Sequence, residues 1–126
     1  MTLILDSGAL IALERGDRPM WRRLKGALLA NQPPLTHGGI IGQAWRKGGA
    51  RQALLSRALD GVEVLPLDGA RGRRAGALLA LAGSSDVVDA ALVLLAHDGD
   101  QLATSDPGDL EPLARVSGVH VDLILA

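Results

Sequence analysis

Thr2-Leu3-Ile4-Leu5-Asp6-Ser7-Gly8 is the stretch from which the fold is read. Thr2–Leu5 has the length and apolarity of a buried parallel strand, and the polar residues after it end that strand. Asp6 is thereby delivered to the strand's C-terminal edge. A carboxylate directly after a buried strand is costly unless it is paired or bound.

Outward from this start, strands and helices alternate. Ser7 caps a short helix through Glu14, and a second helix begins near Pro19 and runs to about Ala30. Asn31-Gln32-Pro33-Pro34 breaks it, and Leu35-Thr36 opens a very short second strand. Helices follow over about Gly38–Lys47 and Arg51–Leu59, separated by the Gly48-Gly49 turn. Val62–Leu65 is a third strand, after which Asp68 caps a helix to about Ala82. The next helix spans about Asp86 to His97, and Gln101–Thr104 is a fourth strand. A helix over Gly108–Val116 and a strand over Val119–Leu125 complete the pattern. Such alternation predicts an α/β fold with a parallel sheet, helices on both faces and right-handed crossovers. With no repeat, low-complexity tract or linker, residues 1–126 read as one domain.

Composition narrows the function. Hydrophobic residues make up 48% of the 126, yet aromatics only 2%, so the core must be Leu, Val, Ile and Ala. That argues against binding single strands by base stacking. The absence of Cys removes thiolate–zinc sites, disulfides and thiol nucleophiles. The His residues at 37, 97 and 120 lack H-x₃-H spacing, which disfavours zinc hydrolysis. No secretory-type leader and no bilayer-length apolar run is read, so the expected address is cytoplasmic, without a membrane.

The net charge of −1 conceals an asymmetry. Residues 1–57 hold nine Lys/Arg against three Asp/Glu, and residues 58–126 hold four against eleven. A basic half can hold phosphates and an acidic half cations. Asp106 follows the fourth strand as Asp6 follows the first, and ligands of open α/β sheets bind beyond such edges. Asp86 and Asp89, three apart, share the start of one helix, where negative charge is favoured. Asp89 also interrupts an apolar run, Val87 to Ala96. Four carboxylates brought together repel unless a cation joins them, and Mg²⁺ and Mn²⁺ are hard ions suited to oxygen ligands. Simpler roles compete: Asp86 as a helix-start residue, Asp106 before Pro107 as a turn former, Asp109 as a helix cap.

Three segments together resemble the PIN domain, in particular the VapC-like toxins of toxin–antitoxin pairs. Leu3-Ile4-Leu5-Asp6-Ser7-Gly8-Ala9-Leu10 looks like that family's opening strand with its first aspartate. Val88-Asp89-Ala90-Ala91 through Ala96 is similar to its central helix, and Leu102-Ala103-Thr104-Ser105-Asp106-Pro107-Gly108-Asp109-Leu110 to its closing T-x-D-x-x-D segment. The resemblance implies a three-layer α/β/α sandwich around a parallel sheet. It also implies an endoribonuclease dependent on Mg²⁺ or Mn²⁺, often a homodimer, that leaves 5′-phosphate and 3′-hydroxyl ends and is inhibited by an antitoxin protein. Carried over by position, Asp6, Asp89 and Asp106 are the metal-binding catalytic acids, and Asp86 adds a further contact. Ser7, Gln43 and Asp109 are supporting residues. Gln43 stands where the family places a glutamate, so charge is missing there. Arg15, Arg22, Arg46, Lys47 and Arg51 are candidates for gripping the RNA backbone.

Two other classes compete. A PIN-like module could bind RNA or an antitoxin without cutting, given Gln43. A receiver-like phosphorylation domain also gathers acids around Mg²⁺, but it needs a lysine near the last loop, and none follows Lys47. Neither G-x-x-x-x-G-K-[ST] nor G-x-G-x-x-G occurs.

Overall fold

A computed structural model describes residues 1–46 and 48–126, with the backbone alone at Arg51. Five strands form one parallel sheet: β1 (Leu3–Leu5), β2 (Leu35–His37), β3 (Glu63–Leu65), β4 (Gln101–Thr104) and β5 (Asp122–Leu125). Their spatial order is β3-β2-β1-β4-β5, every neighbouring pair parallel. The chain therefore winds outward from β1 in both directions. With right-handed crossovers, the helices between β1 and β3 lie on one face and those after β3 on the other. The first group is α1 (Ser7–Glu14), α2 (Arg18–Leu29), α3 (Gly38–Ala44) and α4 (Ala50–Leu59). The second is α5 (Gly69–Ala82), α6 (Val87–Val93) and α7 (Pro107–Ser117). Packing agrees: α1 contacts α2, α3 and α4, while α5, α6 and α7 contact one another. This is the three-layer α/β/α sandwich with a central parallel sheet that the sequence implies.

The core is aliphatic, as composition requires. Ile4, Leu5, Leu10, Leu13, Leu92 and Leu102 are fully buried, each contributing roughly 1.5–3 kcal/mol. Leu24 joins that core. Half-buried Trp21 packs against it and donates its indole N–H to Leu13 O at 2.9 Å.

Several boundaries differ from the sequence reading. Asp6, not Ser7, caps α1; its Oδ1 accepts the Ala9 amide at 2.8 Å. The helix after Asp86 ends at Val93 rather than His97. Its last amides switch to tighter bonds, Leu95 N–H to Leu92 O and Ala96 N–H to Val93 O. The carboxylate of Asp100 then takes the His97 amide at 2.8 Å and leads the chain into β4. α3 stops at Ala44, because Trp45 is already extended (ψ 132°). β5 begins at Asp122, where its pairing with Gln101 starts. Among the described residues, no single helix is long and apolar enough to cross a membrane.

Candidate functional site

The sheet order places β1 beside β4, and the chain moves away from this pair on both sides. Such a switch point leaves a crevice beyond the strand ends. Asp6 leaves β1 there, and Thr104, Ser105 and Asp106 leave β4. The Asp6 amide still donates to Ala103 O at 3.1 Å, which locks the two strand ends in register.

Asp6 is buried at 8% exposure. Burial pushes its carboxyl above the usual range, while hydrogen bonds from the Thr104 hydroxyl and the Ala9, Gly8 and Ser105 amides pull the other way. The Thr104 hydroxyl oxygen also accepts the Asp106 amide at 2.9 Å. One buried threonine thus fixes both strand-end aspartates. The close fit depends on Gly8: a Cβ there would lie 2.5 Å from Ser105 Cβ and 2.9 Å from Ser105 N.

α6 brings the second group. Asp86 caps it, with Oδ1 accepting the Asp89 amide at 3.0 Å. Asp89 is half-buried in the first turn, and its carboxyl is pushed up to about 6. Burial is the largest cause, followed by the charge of Asp86, a hydrogen bond with Asp86, and the charges of Asp6 and Asp109. Asp109, in the first turn of α7, is raised by a hydrogen bond with Asp106 and by the Asp106 charge, then by burial and by Asp86. Asp6, Asp86, Asp89, Asp106 and Asp109 are therefore one electrostatic set, drawn from three separate segments. A groove of about 530 Å³ between Ser84-Ser85 and Gly108-Asp109 opens beside it.

Among the described residues the set has no basic partner. The ion pairs there are Arg115–Glu111 and His97–Asp100, both elsewhere. Nor do three of these side chains converge closely enough to hold an ion as they stand. Unscreened carboxylates repel, and Asp6 and Asp86 each give one oxygen to a helix amide. The donor set is nonetheless the hard-oxygen type that Mg²⁺ or Mn²⁺ takes, and its charge is uncompensated.

The remaining sequence candidates are dispersed. Ser7 is half-buried as the first residue of α1, and Gln43 is exposed on α3. Arg15 ends α1, which begins at the site and runs about 12 Å away from it. Arg22 lies on α2, whose start is tied to the end of α1 by Trp21. The structure thus leaves Arg15 and Arg22 at the opposite end of the sheet from the carboxylates. Arg46 is exposed after α3 and donates to Trp45 O at 2.7 Å. Lys47 and the Arg51 side chain lie outside the described residues.

Two contributors escaped the sequence reading. Thr104 was signalled only as a hydroxyl at the end of a buried strand. His37, fully buried at the end of β2, caps α3 by accepting the Gly39 amide on Nδ1 at 3.0 Å. Nε2 therefore carries the proton and donates it to Val88 O at 2.9 Å. Burial, with Arg71 nearby, lowers its pKa, so the ring is neutral. The imidazole pins β2 to α6 one residue before Asp89.

No family model matches the sequence, and no curated protein does. Among solved structures, the chain is similar to one described as VapBC2 from Rickettsia felis bound to a DNA fragment from their promoter. The TM-score is 0.70 at 13% identity, over 98% of this chain and 99% of that one. At this identity the likeness is one of fold, and the fold is PIN-like.

Proposed function

We propose that this chain is an Mg²⁺- or Mn²⁺-dependent endoribonuclease and the toxin of a toxin–antitoxin pair. One observation carries the reading. Five carboxylates from three segments share the switch-point end of the sheet and act on one another, Asp89 is pushed up to about 6, and no described cation pairs with any of them. Asp6, Asp89 and Asp106 would hold the ion, with Asp86 contributing beside them. Such an ion supplies electrophilic activation of a water and of the phosphate.

The chain's own residues prepare that site. Thr104 and three backbone amides orient Asp6. The Asp86 cap sets the first turn of α6 and thereby Asp89. His37 holds the same turn against β2 through Val88 O. Asp109 adds charge from the α7 side, and Gln43 offers a neutral amide rather than a further carboxylate. The PIN-like fold and the VapBC2 likeness support an antitoxin as partner; a homodimer as assembly and the cytoplasm as location are part of the same proposal.

Cleavage of mixed single-stranded RNA tests the reading, with Mn²⁺ or Mg²⁺, with chelator, and with Asp6→Asn. The parent should cut only with metal, and Asp6→Asn should not cut. Equal cleavage by Asp6→Asn would overturn the assignment. Gln43 favours one other reading, a module that binds RNA or an antitoxin without cleavage. A parent that binds RNA but stays silent in both metals would establish it.

A further inference from the structure

We infer that the start of α5 is the phosphate-binding flank of the site, with Arg71, Arg73 and Arg74 holding the RNA backbone beside the cleaved bond. This rests on the ribonuclease reading and locates its substrate grip.

Three arginines fall within four residues at the start of one helix. Arg71 and Arg74, three apart, share a face, and both line a narrow crevice against Ala91 of α6 and against Leu94 and Leu95, which follow its last residue. Arg71 Nη1 donates to Pro66 O at 3.3 Å, which fixes it where the chain leaves β3. Arg73 and Arg74 are exposed. None of the three forms an ion pair among the described residues, where the Arg–carboxylate pair is Arg115 with Glu111.

The sheet register places them. Leu65, the last residue of β3, pairs with His37, and the β1–β2 register brings His37 level with Asp6. β3 is two strands from β1, so its end lies about 10 Å to the side of Asp6, and Arg71 follows six residues after it. Arg71 is also close enough to His37 to lower its pKa.

Electrostatics makes such a flank necessary. Five carboxylates repel a polyanion, and one dication offsets only part of that charge. A compensating cation must lie within about one Debye length, roughly 8 Å at physiological salt, of the phosphate that it serves. Arg18, Arg23 and Lys25 sit on α2 at the far end of the sheet. Arg23 there lines a cavity with Met1, Leu3 and Gln101, at the starts of β1 and β4. Those cations are screened from the carboxylate end. Arg71 stands beside the C-terminal ends of β3 and β2, with Arg73 and Arg74 on the same turn of α5.

The test measures binding of a labelled single-stranded RNA to Asp6→Asn protein across a salt series. Adding Arg71→Gln, Arg73→Gln and Arg74→Gln together should weaken binding at least tenfold. It should also flatten the log–log salt slope by about 2, the release expected for three single-strand phosphate contacts. Arg18→Gln/Arg23→Gln/Lys25→Gln, which removes the same charge from α2, should stay within twofold. If loss of Arg71 unfolds the chain, the Arg73→Gln/Arg74→Gln pair should still weaken binding and flatten the slope by about 1.4. An α5 variant that binds like its parent, or an α2 variant that loses as much as the α5 variant, overturns the grip while the ribonuclease reading stands. A parent that neither binds nor cuts RNA overturns both.

Discussion

Asp89→Asn should stabilise the metal-free protein at neutral pH. The Asp89 carboxyl rises from 3.8 unfolded to about 6 in the fold. The folded state thus binds that proton more tightly than the unfolded chain. Stability is therefore lost as pH climbs from about 4 to about 6, and the loss is complete above that. Two pH units correspond to about 3 kcal/mol at 1.36 kcal/mol per unit. Because the side chain is only half-buried, solvent screening reduces this to roughly 1–1.5 kcal/mol. For a chain of this size that is a gain of about 4–6 °C in midpoint. Calorimetric melts in chelator, at pH 4 and pH 7.5, read the effect. Asn should match the parent at pH 4 and exceed it at pH 7.5, and Mn²⁺ should raise the parent above pH 6 but not the variant. A parent and variant that melt together at both pH values would refute the idea that burial and like charge together load α6 through Asp89.

Other substitutions probe the supporting frame. Gly8→Ala drives a methyl into Ser105, and the overpacking should cost about 1–3 kcal/mol; an unchanged melt would mean the α1–β4 fit is looser than the distances say. Thr104→Val keeps the shape but removes the hydroxyl shared by Asp6 and the Asp106 amide. Metal-dependent cleavage should fall at least tenfold while the melt drops by only about 1 kcal/mol, and unaltered turnover would remove Thr104 from the site. His37→Ala orphans the Gly39 amide and the Val88 carbonyl, and should cost about 2–4 kcal/mol by denaturant titration. A loss below about 0.5 kcal/mol, within the noise of surface substitutions, would show that water replaces the ring.

Much of the fold was legible locally. The run Thr2–Leu5 announced a buried strand, and alternation announced parallel α/β layers. Asp6 and Asp106 were visible as carboxylates closing strands. The helix after Asp86 was visible too, but not its end, because its apolar residues continue to Ala96 while Asp100 draws the His97 amide out of the helix. Burial, not periodicity, made His37 a cap, and neither its spacing from the other histidines nor its neighbours in sequence mark it as one. The placement of Arg15 and Arg22 was hidden for a related reason: charge counted along the chain says nothing about which end of the sheet a helix reaches.

By itself, then, the sequence determined the order of strands and helices, an aliphatic core and which carboxylates close a strand or open a helix. These follow from side-chain periodicity and backbone propensity, which act over a few residues. The tertiary structure alone decided that β1 lies against β4, which joins Asp6 to Thr104 and Asp106 across nearly a hundred residues. It also decided that α6 brings Asp89 beside them and that Arg71 of α5 reaches the ends of β3 and β2. Strand partners are chosen by burial of both faces at once, a condition set by the whole chain and written in no single segment.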